Sequence, residues 1–139
     1  MEKRFETDKD LKNEIEIIER FSKYCNTTYK KLGDNEIDFA LSRDGKIVAY
    51  VEIKNYTVAS TKFPTQIIAI KKLSSMQARS SKGIPCMWVM RFSDDVIMYV
   101  DVKEVKGMVK HGGRKPREGS LYDQELVLYC DKSVMKTLL

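Results

Sequence analysis

A chain of 139 residues, 42% hydrophobic and 32% charged, is long enough for one domain over residues 1–139 with a core of its own, since a domain of this size buries about two-thirds of its unfolded surface. No apolar run approaches the roughly 20 residues of a membrane helix, and Met1-Glu2-Lys3-Arg4-Phe5-Glu6 lacks the apolar segment of a signal peptide, so a soluble cytoplasmic protein with no membrane partner is expected. The net charge of +5 is modest, but its distribution is uneven: residues 54–93 hold Lys54, Lys62, Lys71, Lys72, Arg79, Lys82 and Arg91 with no acidic residue, and residues 103–117 hold six basic residues against Glu104 alone. Such stretches suit a polyanionic partner, although each taken alone also reads as ordinary solvated surface. Cys25, Cys86 and Cys130 are widely separated and flanked by apolar residues; they read as core thiols in a reducing compartment, and no zinc-site spacing is present.

The first periodic segment predicts a helix over residues 7–24, with Thr7 or Asp8 as cap and Leu11, Ile15, Ile17, Ile18 and Phe21 on one apolar stripe. Glu14 falls near the middle of that stripe. A carboxylate there needs a metal, a water or a partner, which makes Glu14 a candidate site residue; snorkelling at the stripe's edge or pairing with a lysine is the structural alternative. A short strand over 27–31, a turn at Gly33-Asp34-Asn35 and a strand over 37–41 follow, the last placing Ile37, Phe39 and Leu41 on one side and Asp38 and Ala40 on the other. Asp44-Gly45 supplies the positive φ angles of a tight hairpin. Counting out from it leads back six residues to Asp38 and forward seven to Glu52, so the two carboxylates come nearly opposite, with a bulge, loop length or a diagonal contact absorbing the mismatch.

Ile47-Val48-Ala49-Tyr50-Val51 is apolar on both faces and ends in Glu52-Ile53-Lys54. Alternation sends Glu52 and Lys54 to the same side, where charges are costly without a task. Asp38 and Glu52 together would form an all-oxygen pocket for Mg²⁺ or Mn²⁺ with an ammonium beside it, the outline of a phosphodiester-hydrolysis site. Residues 55–62 read as a loop, and residues 63–68 as either extended chain or a first helical turn, before a helix that continues to about Lys82. Lys71 and Lys72 would lie in its first turns, where their ammoniums and the helix dipole add to make a phosphate-friendly surface. Strands are expected at 86–92 and 96–100, with Asp94 and Asp95 as turn formers between them. Residues 107–119, rich in glycine and charge, predict a mobile segment that orders on DNA through Lys110, Arg114, Lys115 and Arg117; His111 within it suits a phosphate contact or no role. A last strand at 125–129 and a short helix capped by Asp131 or Ser133 end the chain.

Asp38 followed by Glu52-x-Lys54 across a hairpin resembles the PD-(D/E)xK nuclease superfamily, and the order of helix, hairpin, central strand, helix and strand over residues 14–92 agrees with it. Ile37 stands where the family name places Pro, a variable position outside the metal shell. The resemblance implies an α/β restriction-endonuclease-like core, a mixed central sheet flanked by helices in αβββαβ order. It implies hydrolysis of DNA phosphodiester bonds with Mg²⁺, or Mn²⁺ in its place, held by Asp38, Glu52 and the backbone carbonyl of Ile53, with Lys54 positioning the nucleophile and no small-molecule cofactor. Glu14 matches a first-helix glutamate that completes the acidic cluster in many members, Holliday-junction resolvases among them. A helix after the ExK strand that presents basic or amide residues to the substrate is also common in the superfamily, which makes Gln66, Lys71 and Lys72 candidate DNA contacts. The chain is most similar to small resolvase-type or phage-type stand-alone endonucleases. A homodimer acting on branched DNA in recombination or repair is the expectation, with the β-rich C-terminal region as dimer surface. A restriction-like or replication-repair nuclease, or a non-catalytic DNA-binding module of the same fold, are the alternatives.

Overall fold

The computed structural model describes residues 8–33, 37–113 and 124–138. Helix α1 spans Asp8–Cys25 and buries Ile17, Ile18 and Phe21. Leu11, expected on the buried stripe, is exposed instead, because the stripe engages the sheet only from the second turn onward. Asn26, in the left-handed region at φ 57, ends the helix, and the Thr27 N–H returns to the Ser22 carbonyl at 2.9 Å, satisfying an acceptor that the helix end leaves open. Of the two expected caps, Thr7 lies outside the described residues and Asp8 is already in the first turn, where its charge complements the dipole.

Strands β1 (Thr28–Lys31), β2 (Phe39–Arg43) and β3 (Lys46–Asn55) form an antiparallel meander. Asp44 at φ 54 and Gly45 at φ 79 make the two-residue turn between β2 and β3, both in the left-handed region that such a hairpin needs. The one-residue mismatch is taken up by a bulge: Leu41 faces Ala49, the next pair is Ser42 with Ile47, and Val48 is the extra residue.

After β3 the chain forms β4 (Thr65–Ala69) and then, without a connector, helix α2 (Ile70–Ser80). The ambiguous segment is therefore extended up to Ala69 and helical beyond it. Strand β5 (Cys86–Arg91) returns parallel to β3, from Tyr50 beside Cys86 to Asn55 beside Arg91. Strand β6 (Ile97–Asp101) pairs antiparallel with β5. In the turn between them Asp94 accepts hydrogen bonds from the Ser60 backbone N–H and hydroxyl, the latter at 2.7 Å, and Asp95, at φ 62, pairs with Arg20.

Residues 107–113, expected to be mobile, form strand β7 (Gly107–Gly113), paired over its whole length with β8 (Gln124–Asp131). The glycine that suggested mobility serves close packing instead: a Cβ built on Gly107 would stand 1.9 Å from the Tyr129 carbonyl oxygen. Residues 114–119 of that expectation lie outside the described residues. The expected C-terminal helix is a single 3₁₀ turn, Lys132–Val134, capped by the Asp131 carboxylate accepting from the Ser133 N–H at 3.0 Å. Strand β9 (Lys136–Thr137) follows it, an edge strand too short to be read from periodicity.

Two sheets result among the described residues. The larger runs β1-β2-β3-β5-β6-β9 and is mixed, β3 and β5 being its parallel pair; the smaller runs β4-β8-β7. Ile17, Ile18 and Phe21 of α1 pack on one face of the large sheet, with Phe39, Leu41, Val51, Ile53 and Val89. Leu73 and Met76 of α2, with Ile68, Leu128 and Cys130 of the small sheet, pack on the other against Trp88 and Met90. Ile37 joins this second core rather than the face of Phe39 and Leu41, because it precedes β2 and does not follow its alternation. Cys86 and Cys130 are buried free thiols, and burial pushes the Cys86 thiol up to about 12, so it behaves as a small hydrophobe.

Candidate active site

The alternation of β3 separates the core from the charge. Val51 and Ile53 pack beneath α1, so Glu52 and Lys54 project from the other face, the one that α2 crosses. Phe39 faces Val51 in the β2–β3 ladder, and one further step sets Asp38 against Glu52. Asp38 is tied to β3 directly: its Oδ2 accepts the Ile53 backbone N–H at 2.8 Å. In an extended residue the N–H and C=O point to the same edge, so the Ile53 carbonyl is turned toward the edge where Asp38 lies.

Glu52 is only 5% exposed. The Lys72 ammonium, from the first turn of α2, lies 3.1 Å from Glu52 Oε1. The contact is a salt bridge between a strand carboxylate and a helix ammonium. Burial pushes the Glu52 carboxyl up to about 7; the negative charge of Asp38 adds to the rise, and Lys72 and Lys54 oppose it. Lys54, at the exposed end of the same face, has its ammonium within electrostatic reach of this carboxylate.

Tyr56 continues the series Glu52, Lys54, Tyr56 on one face of β3 and just beyond, with its N–H bonded to the Arg91 carbonyl at 2.8 Å. Its ring stacks on Phe92 at 5.5 Å. Burial pushes its phenol up to about 12, the Gln66 amide and Trp88 indole acting in the other direction as hydrogen-bond partners and Glu52 adding to the rise. Sequence reasoning passed over Tyr56, although the i, i+2, i+4 spacing from Glu52 was the signal that could have found it. Gln66, from β4, has a buried amide oxygen, so its side chain belongs to this wall.

Glu14 is half-buried and forms an ion pair with Lys31 at 3.1 Å. Lys31 faces Phe39 across the β1–β2 ladder and its ammonium lies 5.2 Å from the centre of that ring, which brings Glu14 toward the end of the sheet where Asp38 sits. Arg91 holds α1 to this end: it donates to Asn55 Oδ1 on the neighbouring strand β3 and to Asn13 and Glu16 of α1, each at 3.1 Å. Of the candidate DNA contacts, Lys71 is exposed whereas Lys72 is turned to Glu52. Lys110 is exposed on β7, 5.1 Å over the Tyr129 ring, and His111 beside it is exposed on the same strand. Arg114, Lys115 and Arg117 lie outside the described residues.

Among the described residues no three His, Cys, Asp or Glu side chains converge as a ready-made metal cage. The donor set that does converge, two carboxylates and a backbone carbonyl, consists of hard oxygens. It fits Mg²⁺ or Mn²⁺, which keep several water or phosphate oxygens when bound by proteins.

Comparison with known proteins agrees with this arrangement. The model of a protein family described as "Phage putative PDDEXK endonuclease" matches residues 1–138. Among solved structures the fold is similar to that of Hjc, a Holliday junction resolvase from the archaeal hyperthermophile Archaeoglobus fulgidus, with a TM-score of 0.58 and 9% identity over 91% of this chain and 87% of that one. At that identity the likeness speaks for the fold, a restriction-endonuclease-like mixed sheet with flanking helices. No curated protein matches the sequence. With the Asp38, Glu52-x-Lys54 pattern at the end of a central strand pair and a family match over nearly its whole length, the chain belongs to the PDDEXK endonuclease family of phages.

Proposed function

We propose that this protein is a divalent-metal-dependent DNA endonuclease selective for branched DNA. The observation that carries the reading is the convergence of Asp38, Glu52 and Lys54 on one face of β3 next to α2, with Asp38 locked to the Ile53 N–H. Asp38, Glu52 and the Ile53 carbonyl would hold Mg²⁺ or Mn²⁺, and Glu14 would add a carboxylate at the edge of the site. A divalent ion so held supplies the Lewis acidity that acidifies a water and offsets charge on the phosphate. Lys54 donates to the attacking water and to a non-bridging phosphate oxygen, stabilising the charge that builds as the P–O bond to water forms and the bond to the sugar oxygen breaks. Tyr56 and Trp88 wall the site with apolar surface, which strengthens each of these interactions. Lys71 and Lys110 would contact the phosphate backbone, a role proposed also for Arg114, Lys115 and Arg117.

Branched substrates are favoured by the fold-level likeness to a Holliday junction resolvase. Symmetric cutting of a junction requires two copies, and the exposed Ile67 and Met108, which flank Tyr129 on one face of the small sheet, support a homodimer through that sheet. Cleavage of labelled four-way junctions, flaps, linear duplex and single strands, with light scattering to count protomers, tests the reading. Preferential junction cutting by a dimer is expected. Equal cutting of linear duplex by a monomer would contradict the selectivity and leave a general or restriction-like nuclease; junction binding without cutting would leave a binding module.

A further inference from the structure

Lys72 comes from a helix, Glu52 from a strand, and yet the Lys72 ammonium lies 3.1 Å from Glu52 Oε1. The Glu52 side chain is 7% exposed and that of Lys72 is 30% exposed, so the lysine stands at the mouth of the carboxylate's pocket. Its neighbour Lys71 already faces solvent from the same helical turn. Lys54 is the second ammonium acting on Glu52. Two carboxylates, Asp38 and Glu52, thus face two ammoniums, Lys54 and Lys72. An ammonium within a few ångströms repels an incoming divalent cation directly. With the ammonium of Lys72 withdrawn on its four-carbon stem, the same oxygens attract the cation with one opposing charge fewer.

We propose that Lys72 is the resident counter-ion of the acidic pair and exchanges places with the divalent cation, leaving Glu52 for a DNA phosphate when substrate arrives. Metal loading is then coupled to DNA binding: a phosphate that draws Lys72 outward raises the affinity of Asp38 and Glu52 for the metal, and by linkage the metal raises the affinity for DNA. The device would keep the acidic pair neutralised in the free protein and complete the site only on substrate. It rests on the reading of Asp38 and Glu52 as metal-holding residues.

Calorimetric titration of Mn²⁺ into the full chain without DNA tests both, using wild type, Lys72→Met, Lys72→Gln, Lys72→Arg and Asp38→Ala. Lys72→Met and Lys72→Gln are expected to bind Mn²⁺ about tenfold or more tightly than wild type, because the repelling charge is gone; Lys72→Arg should stay near wild type and Asp38→Ala should lose binding. Either neutral variant suffices if the other does not fold. Folded neutral variants that bind Mn²⁺ no more tightly than wild type would overturn the exchange while leaving the metal site intact. Absence of Mn²⁺ binding in wild type and in both neutral Lys72 variants, or binding unchanged in Asp38→Ala, would overturn the metal-site reading and the exchange with it.

Discussion

Glu52 has two neighbours with opposite effects: the Asp38 carboxylate raises its pKa and the Lys72 ammonium lowers it, while burial dominates both. Its folded-state value of about 7 lies above its ordinary value of 4.5, so the folded protein binds more protons than the unfolded chain between those limits. Stability of the metal-free protein is therefore full below about pH 4.5 as far as this group is concerned, and is lost as pH rises through 7. The loss attributable to Glu52 is on the order of 2–3 kcal/mol. Urea midpoints at pH 5 and pH 8 check this: the drop seen in wild type should be largely absent in Glu52→Gln, and an equal drop in both proteins would assign it to other groups. The residue scale was also where the sequence could be read best. That Asp38, Glu52 and Lys54 come together was legible because the Asp44-Gly45 hairpin and the alternation of β3 set their positions. The ion pair of Glu52 with Lys72 was not, because it joins two elements whose mutual placement depends on how α2 crosses the sheet. Glu14 was legible as an anomaly on an apolar stripe; its pairing with Lys31 agrees with the lysine alternative raised for it and places it at the sheet end nearest Asp38.

Strand β3 organises the site because it is central, parallel to β5 on one side and antiparallel to β2 on the other. Its apolar run and the Asp44-Gly45 turn made the hairpin readable in advance; the bulge was one of three ways in which the one-residue mismatch could be taken up. Strand β7 was misread for a physical reason. Glycines at 107, 112 and 113 resemble a mobile segment in composition, and only the antiparallel partner β8 shows that the absent side chains permit close approach. Gly107→Ala should therefore destabilise the protein by about 1–3 kcal/mol, since the methyl group would meet the Tyr129 backbone rather than a side chain that can move. Amide exchange along β7 and β8 should accelerate in the same variant; unchanged stability and exchange would mean that the strand shifts to accommodate the methyl group at little cost.

At the scale of the molecule, the acidic pair is followed in sequence by seven basic residues and no acidic one over residues 54–93, and among the described residues no helix is long and apolar enough to cross a membrane. If exposed lysines hold phosphates, DNA affinity must fall steeply with salt, and Lys71→Ala should lower the slope of log K against log salt by about 0.9 without altering substrate preference. An unchanged slope would place Lys71 outside the DNA track. The fold class followed from the order of elements. The small sheet β4-β8-β7 did not, because its strands are far apart in sequence and one of them was ambiguous in its own right. The measurement closest to the central claim is cleavage of DNA by wild type, Asp38→Ala and Lys54→Ala in Mg²⁺, Mn²⁺ or EDTA, with binding followed in parallel. The site described here predicts cutting by wild type in either metal and none in EDTA. It predicts a loss of at least about 10²-fold in both variants, with DNA binding largely retained. Cutting in EDTA, or undiminished cutting by Lys54→Ala, would contradict it.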